Sequence, residues 1–318
     1  MLKRLSIRKI TLASAALFAC MLIYLVPSVR EENNWPEDLE YVDNETDYSP
    51  VFLLDKNNYV ALTEVSVSND DNIENKAKEV LEVLIIGSSD GKVPNGFSAI
   101  IPPNTEILSL TYDNGLVKVD FSSDILEISE DLEEKMIEAI VYSLTSIDGV
   151  DNVIIYVEGE ILSKLPKTKI NLPSTLNRSF GINKEFNLTS TKDITDVTVY
   201  YINQINDNYY YVPVTKYLND TRDKITIVID ELTGGLGYNN NLMSFLNEDV
   251  ELVSSNLSDN VLSLDFNSSI FDDINTKEIL EEVIYTICLS AYDNYDVDEV
   301  VLLADNEEIY KSASKTIE

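Results

Sequence analysis

Apolar residues in this chain alternate between two spacings. Around 50–54 and 59–67 they read as two short strands. From Asp71 to Ile86 the period becomes helical, with Ile73, Ala77, Val80, Leu81 and Leu84 on one face. Asp71 and Glu74 resemble a capping box for that helix. A Gly-, Ser- and Pro-rich loop runs from Gly87 to Asn104. Strands at 106–112 and 116–121 flank Asp113-Asn114-Gly115, a hairpin turn because Asn-Gly accepts positive φ. Val117, Val119 and Phe121 alternate onto the core side. A second helix at 130–146 buries Leu132, Met136, Ile140 and Leu144, with Ser129 as its N-cap, and a strand follows at 152–157.

The same order then recurs roughly 145 residues later. Leu116 to Leu126 matches Val261 to Phe271, with Asp120/Asp265, Phe121/Phe266, Ser123/Ser268 and Ile125/Ile270 identical. Ile140 to Leu144 is matched to Val283 to Ile287, Val150 to Ile155 to Val297 to Leu302, and Val51 to Leu54 to Val199 to Ile202. The second copy thus predicts strands near 197–203, 208–215, 249–255, 260–266 and 299–303. Its helices fall near 220–232 and 276–291, the latter with Leu280, Val283, Ile284, Ile287 and Ala291 as the buried stripe. Each copy reads as an α+β sandwich, its two helices covering a sheet.

The N-terminus adds a membrane address. Lys3, Arg4, Arg8 and Lys9 precede an uncharged apolar stretch from Ile10 to Val29, enough for a helix to span a ~30 Å hydrocarbon core. The basic flank predicts a signal-anchor, single-pass, with the rest of the chain extracytoplasmic. Lipidation at Cys20 and cleavage near Ala13-Ser14-Ala15 are the alternatives. The expected organisation is anchor 1–30, linker 31–47, first domain 48–161, connector 162–195 and second domain 196–312.

Composition removes several functions. The 56 acidic against 23 basic residues, a formal charge of −33, oppose binding to nucleic acid. The absence of histidine excludes Ser-His-Asp and Cys-His catalysis and His-ligated metals. Cys20 and Cys288 form no metal or redox motif, and Cys288 reads as a buried thiol. No cofactor is expected. Gly234 to Gly237 lacks phosphate-loop spacing, and Asp293 to Glu299 lacks the EF-hand pattern and reads as a solvated acidic loop. Asp120 and Asp265, duplicated before Phe121 and Phe266, read as turn or helix-start hydrogen-bonding residues rather than a catalytic pair.

Two features could form a partner face. Tyr200, Tyr201, Tyr209, Tyr210 and Tyr211 crowd one hairpin, where core, partner-binding and glycan-stacking roles stay open. The connector holds Lys164, Lys167, Lys169, Arg178, Lys184 and Lys192, suited to packing against two acidic domains or to attracting anions. Tyr201, Tyr209, Tyr211 and Arg178 are the candidate face.

Taken in order, Leu84 to Gly87, Ile101 to Thr105, Val119 to Ser122, Ile140 to Thr145 and Val150 to Gly159 resemble the GerM family, whose members carry tandem GerM domains. Val261 to Ser268, Ile284 to Ile287 and Val297 to Leu303 repeat the series in the second copy, which lacks the Ile-Pro-Pro-x-Thr block. The likeness covers about residues 48–310. It implies ring-building-type α/β modules and a non-enzymatic, membrane-anchored scaffold of sporulation and germination. Such a scaffold would support an envelope complex between mother cell and forespore. Its implied partners are sporulation envelope proteins or a second copy. Peptidoglycan binding is the alternative role.

Overall fold

Two hairpins, one from each repeat, join in a central sheet. β1 (Asp47–Asp55) pairs antiparallel with β2 (Val60–Val67), and β9 (Ile194–Ile205) with β10 (Asn208–Asn219). β2 meets β10 at Leu62 and Tyr211; β8 (Glu185–Asn187), from the connector, continues along β10 in parallel. β3 (Phe97–Ser98) closes the far edge beside β1. This computed structural model describes residues 47–312 apart from 69, 90 and 235–240. The expected anchor, Cys20, the linker up to residue 46 and most of the Gly234–Gly237 turn lie outside the described residues. Among the described residues no helix is long and apolar enough to cross a membrane.

Side-chain alternation makes this sheet a wall between two cores. Leu62, Tyr200 and Tyr211 face the first core, whereas Ala61, Tyr201, Tyr210, Val212 and Val214 face the second. Burial on both faces explains the nearly continuous apolar run in β9 and β10.

Each repeat adds two helices and a four-stranded sheet. The helices are α1 (Ile73–Leu84) and α2 (Glu130–Leu144), then α3 (Lys224–Thr233) and α4 (Glu281–Asn294). The sheets are β4 (Ile107–Asp113), β5 (Leu116–Phe121), β6 (Asn152–Val157) and β7 (Glu160–Ile161), then β11 (Leu252–Ser258), β12 (Val261–Phe266), β13 (Glu299–Ala304) and β14 (Glu307–Ser312). β5–β6 and β12–β13 are parallel, because α2 and α4 supply the crossovers. Each helix pair lies between its central hairpin and its four-stranded sheet. The second half of α2 is accordingly buried all round, from Met136 to Leu144.

Three expectations are corrected. Asn72, not Asp71, caps α1, its side chain accepting the Glu74 and Asn75 N–H; Glu74 instead accepts the Tyr112 N–H at 2.9 Å. α4 begins five residues later than expected, and Leu280 is its exposed N-cap rather than part of the buried stripe. Asp273 turns the preceding segment, accepting the Asn275 N–H while Lys277 takes positive φ. The helical match between repeats also shifts by one turn. Ser143 accepts the Phe52 N–H and Ser290 accepts the Tyr200 N–H, each at 2.9 Å. Ser143 thus corresponds to Ser290, not to Thr286. An apolar helix pattern resembles itself after four residues, so it does not mark which turn faces the strand.

Candidate functional site

The duplicated acids sit at turns. Asp120 accepts the Gly159 N–H and Asp265 the Asn306 N–H, each at 3.0 Å. Each bond ties the end of a central strand, β5 or β12, to the turn after its parallel neighbour. Phe121 and Phe266 point the other way and are fully buried in the two cores. Asp120 and Asp265 thus occupy separate repeats and serve the same local bond twice.

The tyrosine hairpin is mostly interior, which corrects the candidate face. Tyr201 is fully buried beneath the Lys216 ammonium, 5.1 Å from its ring centre. Tyr211 packs edge-on against Tyr285 at 5.8 Å. Tyr210 donates to Asp55 Oδ2 at 2.8 Å. Tyr209 alone of the named face is substantially open, 43% exposed beside Phe245. Over Tyr210–Thr215 alternation gives this hairpin no solvent side, because both its faces carry a core, and only its turn end, with Tyr209, reaches solvent.

The connector, by contrast, builds a dense polar site centred on Arg178. Asn177 caps a single helical turn, Arg178–Phe180, by accepting the Ser179 N–H, and this aims Arg178 between the repeats. From the first repeat, Ser146 Oγ accepts Nη2 at 2.7 Å and Thr145 Oγ1 accepts Nε at 3.2 Å. The guanidinium also lies 4.8 Å above the Tyr142 ring. From the second repeat, Asp293 pairs with Nη1, and Tyr200 Oη donates to the same carboxylate at 2.9 Å. The arginine side chain keeps 27% exposure and the Asp293 side chain 4%. Arg178 is thus an internal clamp rather than a free partner residue, and Asp293 is not part of a solvated loop. A cleft of about 380 Å³ opens beside the clamp, with Pro50, Phe52, Glu64, Asp148 and Tyr292 also on its walls.

A second seam lies nearby, where β2 and β10 part. Gly181 has φ +80°, and a Cβ there would lie 3.0 Å from Lys184 and 3.2 Å from Thr215. Past it, Ile182 exchanges bonds with Thr215, and Asn183 fills the gap between the hairpins. Its Oδ1 accepts the Val60 N–H at 3.0 Å, and its Nδ2 donates to the Val60 and Pro213 carbonyls at 2.8 Å. Pro213 has no N–H to pair across this gap, so a side-chain donor suits the position.

Acids of α2 receive the connector. Glu133, although buried, accepts the Lys167 and Thr168 N–H groups and the Thr168 hydroxyl. Burial raises its pKa, yet these bonds win and hold it below the ordinary value. Glu138 accepts the Asn183 N–H at 3.0 Å and lies 3.7 Å from Lys184. Burial dominates there and pushes its pKa up to about 7 despite the lysine. The connector cations Arg178 and Lys184 therefore spend their charge on the body's own acids.

Sequence reasoning missed Ser143, Ser290, Asn183 and Glu138, and placed Asp293 in a solvated loop. The apolar neighbours of Glu138, and the paired Ser143 and Ser290 once the repeats are aligned at the correct turn, were the available signals. Cys288 is buried, and burial pushes its thiol up to about 12. No metal-holding cluster of acids and cysteine occurs among the described residues. What this arrangement supplies chemically is cohesion, a saturated cation and saturated acids locking two modules together.

The family described as Germane, sporulation and spore germination, matches residues 50–163 and 198–310. The chain is 34% identical over 258 residues to the spore germination protein GerM of Bacillus subtilis (strain 168), covering 79% of this chain and 69% of that protein. A solved structure of the tandem GerMN domains of the sporulation protein GerM from Bacillus subtilis superposes with a TM-score of 0.75. It is 29% identical and covers 85% of this chain and 98% of its own. The chain belongs to the Germane family of sporulation and spore germination proteins.

Proposed function

We propose that this protein is a non-enzymatic scaffold of sporulation, held at the membrane by its N-terminal apolar segment with its tandem domains outside the cytoplasm. There it supports an envelope complex between mother cell and forespore. The family relationship supports a role in sporulation and germination. The observation that carries the scaffold reading is the seam. β2 and β10 pair in one sheet, and the connector residues Asn183 and Arg178 each bond to both repeats, so surfaces on either repeat keep a set separation. An assembly protein benefits from such rigidity, because a pre-organised surface loses less entropy on docking. The tyrosines that would stack on glycan lie largely inside, so the wall-binding alternative gains no support from them.

The test is a fluorescent fusion at the C-terminus, followed through sporulation of the native host, with cross-linking in the same cells. Enrichment at the engulfing septal membrane and cross-links to membrane-complex proteins are expected. A uniform envelope signal in vegetative cells, with recovery on insoluble wall material, would overturn the reading.

A further inference from the structure

β4 and β11 are equivalent outer strands in the two repeats, and their edges are finished differently. Two-residue turns close both hairpins, opposing Asp113 to Leu116 and Ser258 to Val261. Antiparallel alternation then turns the backbone groups of Leu110 and Tyr112 outward in β4, and those of Ser255 and Leu257 outward in β11. In β4 the Tyr112 N–H is taken by Glu74 at 2.9 Å. The central sheet is guarded likewise: Ser143 takes the Phe52 N–H, Ser290 the Tyr200 N–H and Asn294 the Thr198 N–H.

β11 lacks such a guard. Glu74 stands two residues past its helix cap, Asn72; two past the α3 cap, Asp223, stands Ile225, which is fully buried and has no carboxylate. No side chain among the described residues accepts the Ser255 or Leu257 N–H. β11 also carries no charge and no proline, the residues that discourage edge pairing, while β14 on the opposite edge carries Glu307, Glu308 and Lys311. Val253 and Leu257 are 62% and 55% exposed. Exposed acids bracket the strand, with Asp249 and Glu251 before it and Asp259 and Asp298 at its far end.

We propose that β11 takes up an extended strand from a partner protein, paired over Ser254–Ser258, with an apolar side chain over Leu257 and Lys or Arg at its flanks. The bulge between Leu252 and Ser254 ends the usable edge. A second copy is disfavoured, because it would bring the same acids together on a chain of formal charge −33. This proposal rests on the scaffold reading and names its docking edge and the chemistry of its partner.

The test titrates the full-length chain in detergent micelles with a fluorescent synthetic peptide, Lys-Lys-Val-Thr-Val-Thr-Val-Lys-Lys. A control of equal charge replaces both Thr by Pro, which breaks strand pairing. Saturable binding at least about tenfold tighter than the control is expected, with amide exchange slowed at residues 254–258. Leu257→Pro removes an N–H that the chain itself does not use, so the fold survives and binding is lost. Leu257→Lys keeps that N–H but repels the peptide, and binding weakens about tenfold. Equal binding of both peptides, undiminished binding by Leu257→Pro, protection elsewhere, or a dimer abolished by Leu257→Pro would overturn the proposal. Cross-linking in sporulating cells separates the two readings. Partners captured equally by wild type and Leu257→Pro would refute the edge and leave the scaffold standing, whereas no partner for either refutes the scaffold.

Discussion

Arg178→Ala probes the clamp that joins the repeats. It removes the charge partner of Asp293, whose side chain is only 4% exposed, and leaves the Ser146 and Thr145 hydroxyls without their donor. Breaking a buried pair from one side costs about 3–5 kcal/mol. Arg178 itself keeps 27% exposure, so water reaches the site and the low end applies, about 3 kcal/mol. For a body of this size each kcal/mol lowers Tm by roughly 2–4 °C, so a drop of about 6–12 °C is expected in a melt followed by circular dichroism. Arg178→Lys recovers only part of this, because a lysine cannot present the same planar set of donors. The diagnostic is the double variant. Adding Asp293→Asn to Arg178→Ala removes the stranded charge and restores about 1–2 kcal/mol. A shift below about 2 °C for Arg178→Ala, or a double variant less stable than the single one, would refute the clamp.

Asn183→Gly preserves the left-handed backbone (φ 45°) but deletes three bonds across the seam, with an expected loss of about 2–4 kcal/mol and faster amide exchange at Val60. Ser143→Ala and Ser290→Ala each leave a buried strand N–H unpaired and cost about 1–3 kcal/mol in urea unfolding. Thr286→Val, which loses only a bond within its own helix, costs about 1 kcal/mol or less. Glu138, raised to about 7 in the folded chain, stabilises it when protonated, so this contribution is complete below the unfolded value near 4.5 and is lost as pH rises through 7. Wild type should therefore lose roughly 1–3 kcal/mol more than Glu138→Gln between pH 5 and pH 8, and equal pH slopes would contradict this. Asp120→Asn and Asp265→Asn retain an acceptor for the turn N–H and should change stability by less than about 1 kcal/mol.

Periodicity alone determined the duplication, the succession of hairpin, helix, hairpin, helix and strand in each repeat, and much of both cores. Those features rest on contacts within one element or between chain neighbours, and they leave a period of 2 or 3.6 in the residues. The four-residue slip in the helical match shows where that signal ends, since an apolar stripe carries no mark of which turn faces which strand. β3, β7 and β8 are too short to leave a period, and β8 exists only because β10 offers it an edge some 30 residues away. Tertiary structure alone decided that the hairpins share one sheet, that the tyrosines therefore turn inward, and which acids of the same chain Arg178 and Lys184 meet. Whether a polar side chain is a surface or a seam depends on partners far away in sequence. A buried charge is stable only where such partners converge, and that convergence is set by how the two repeats dock.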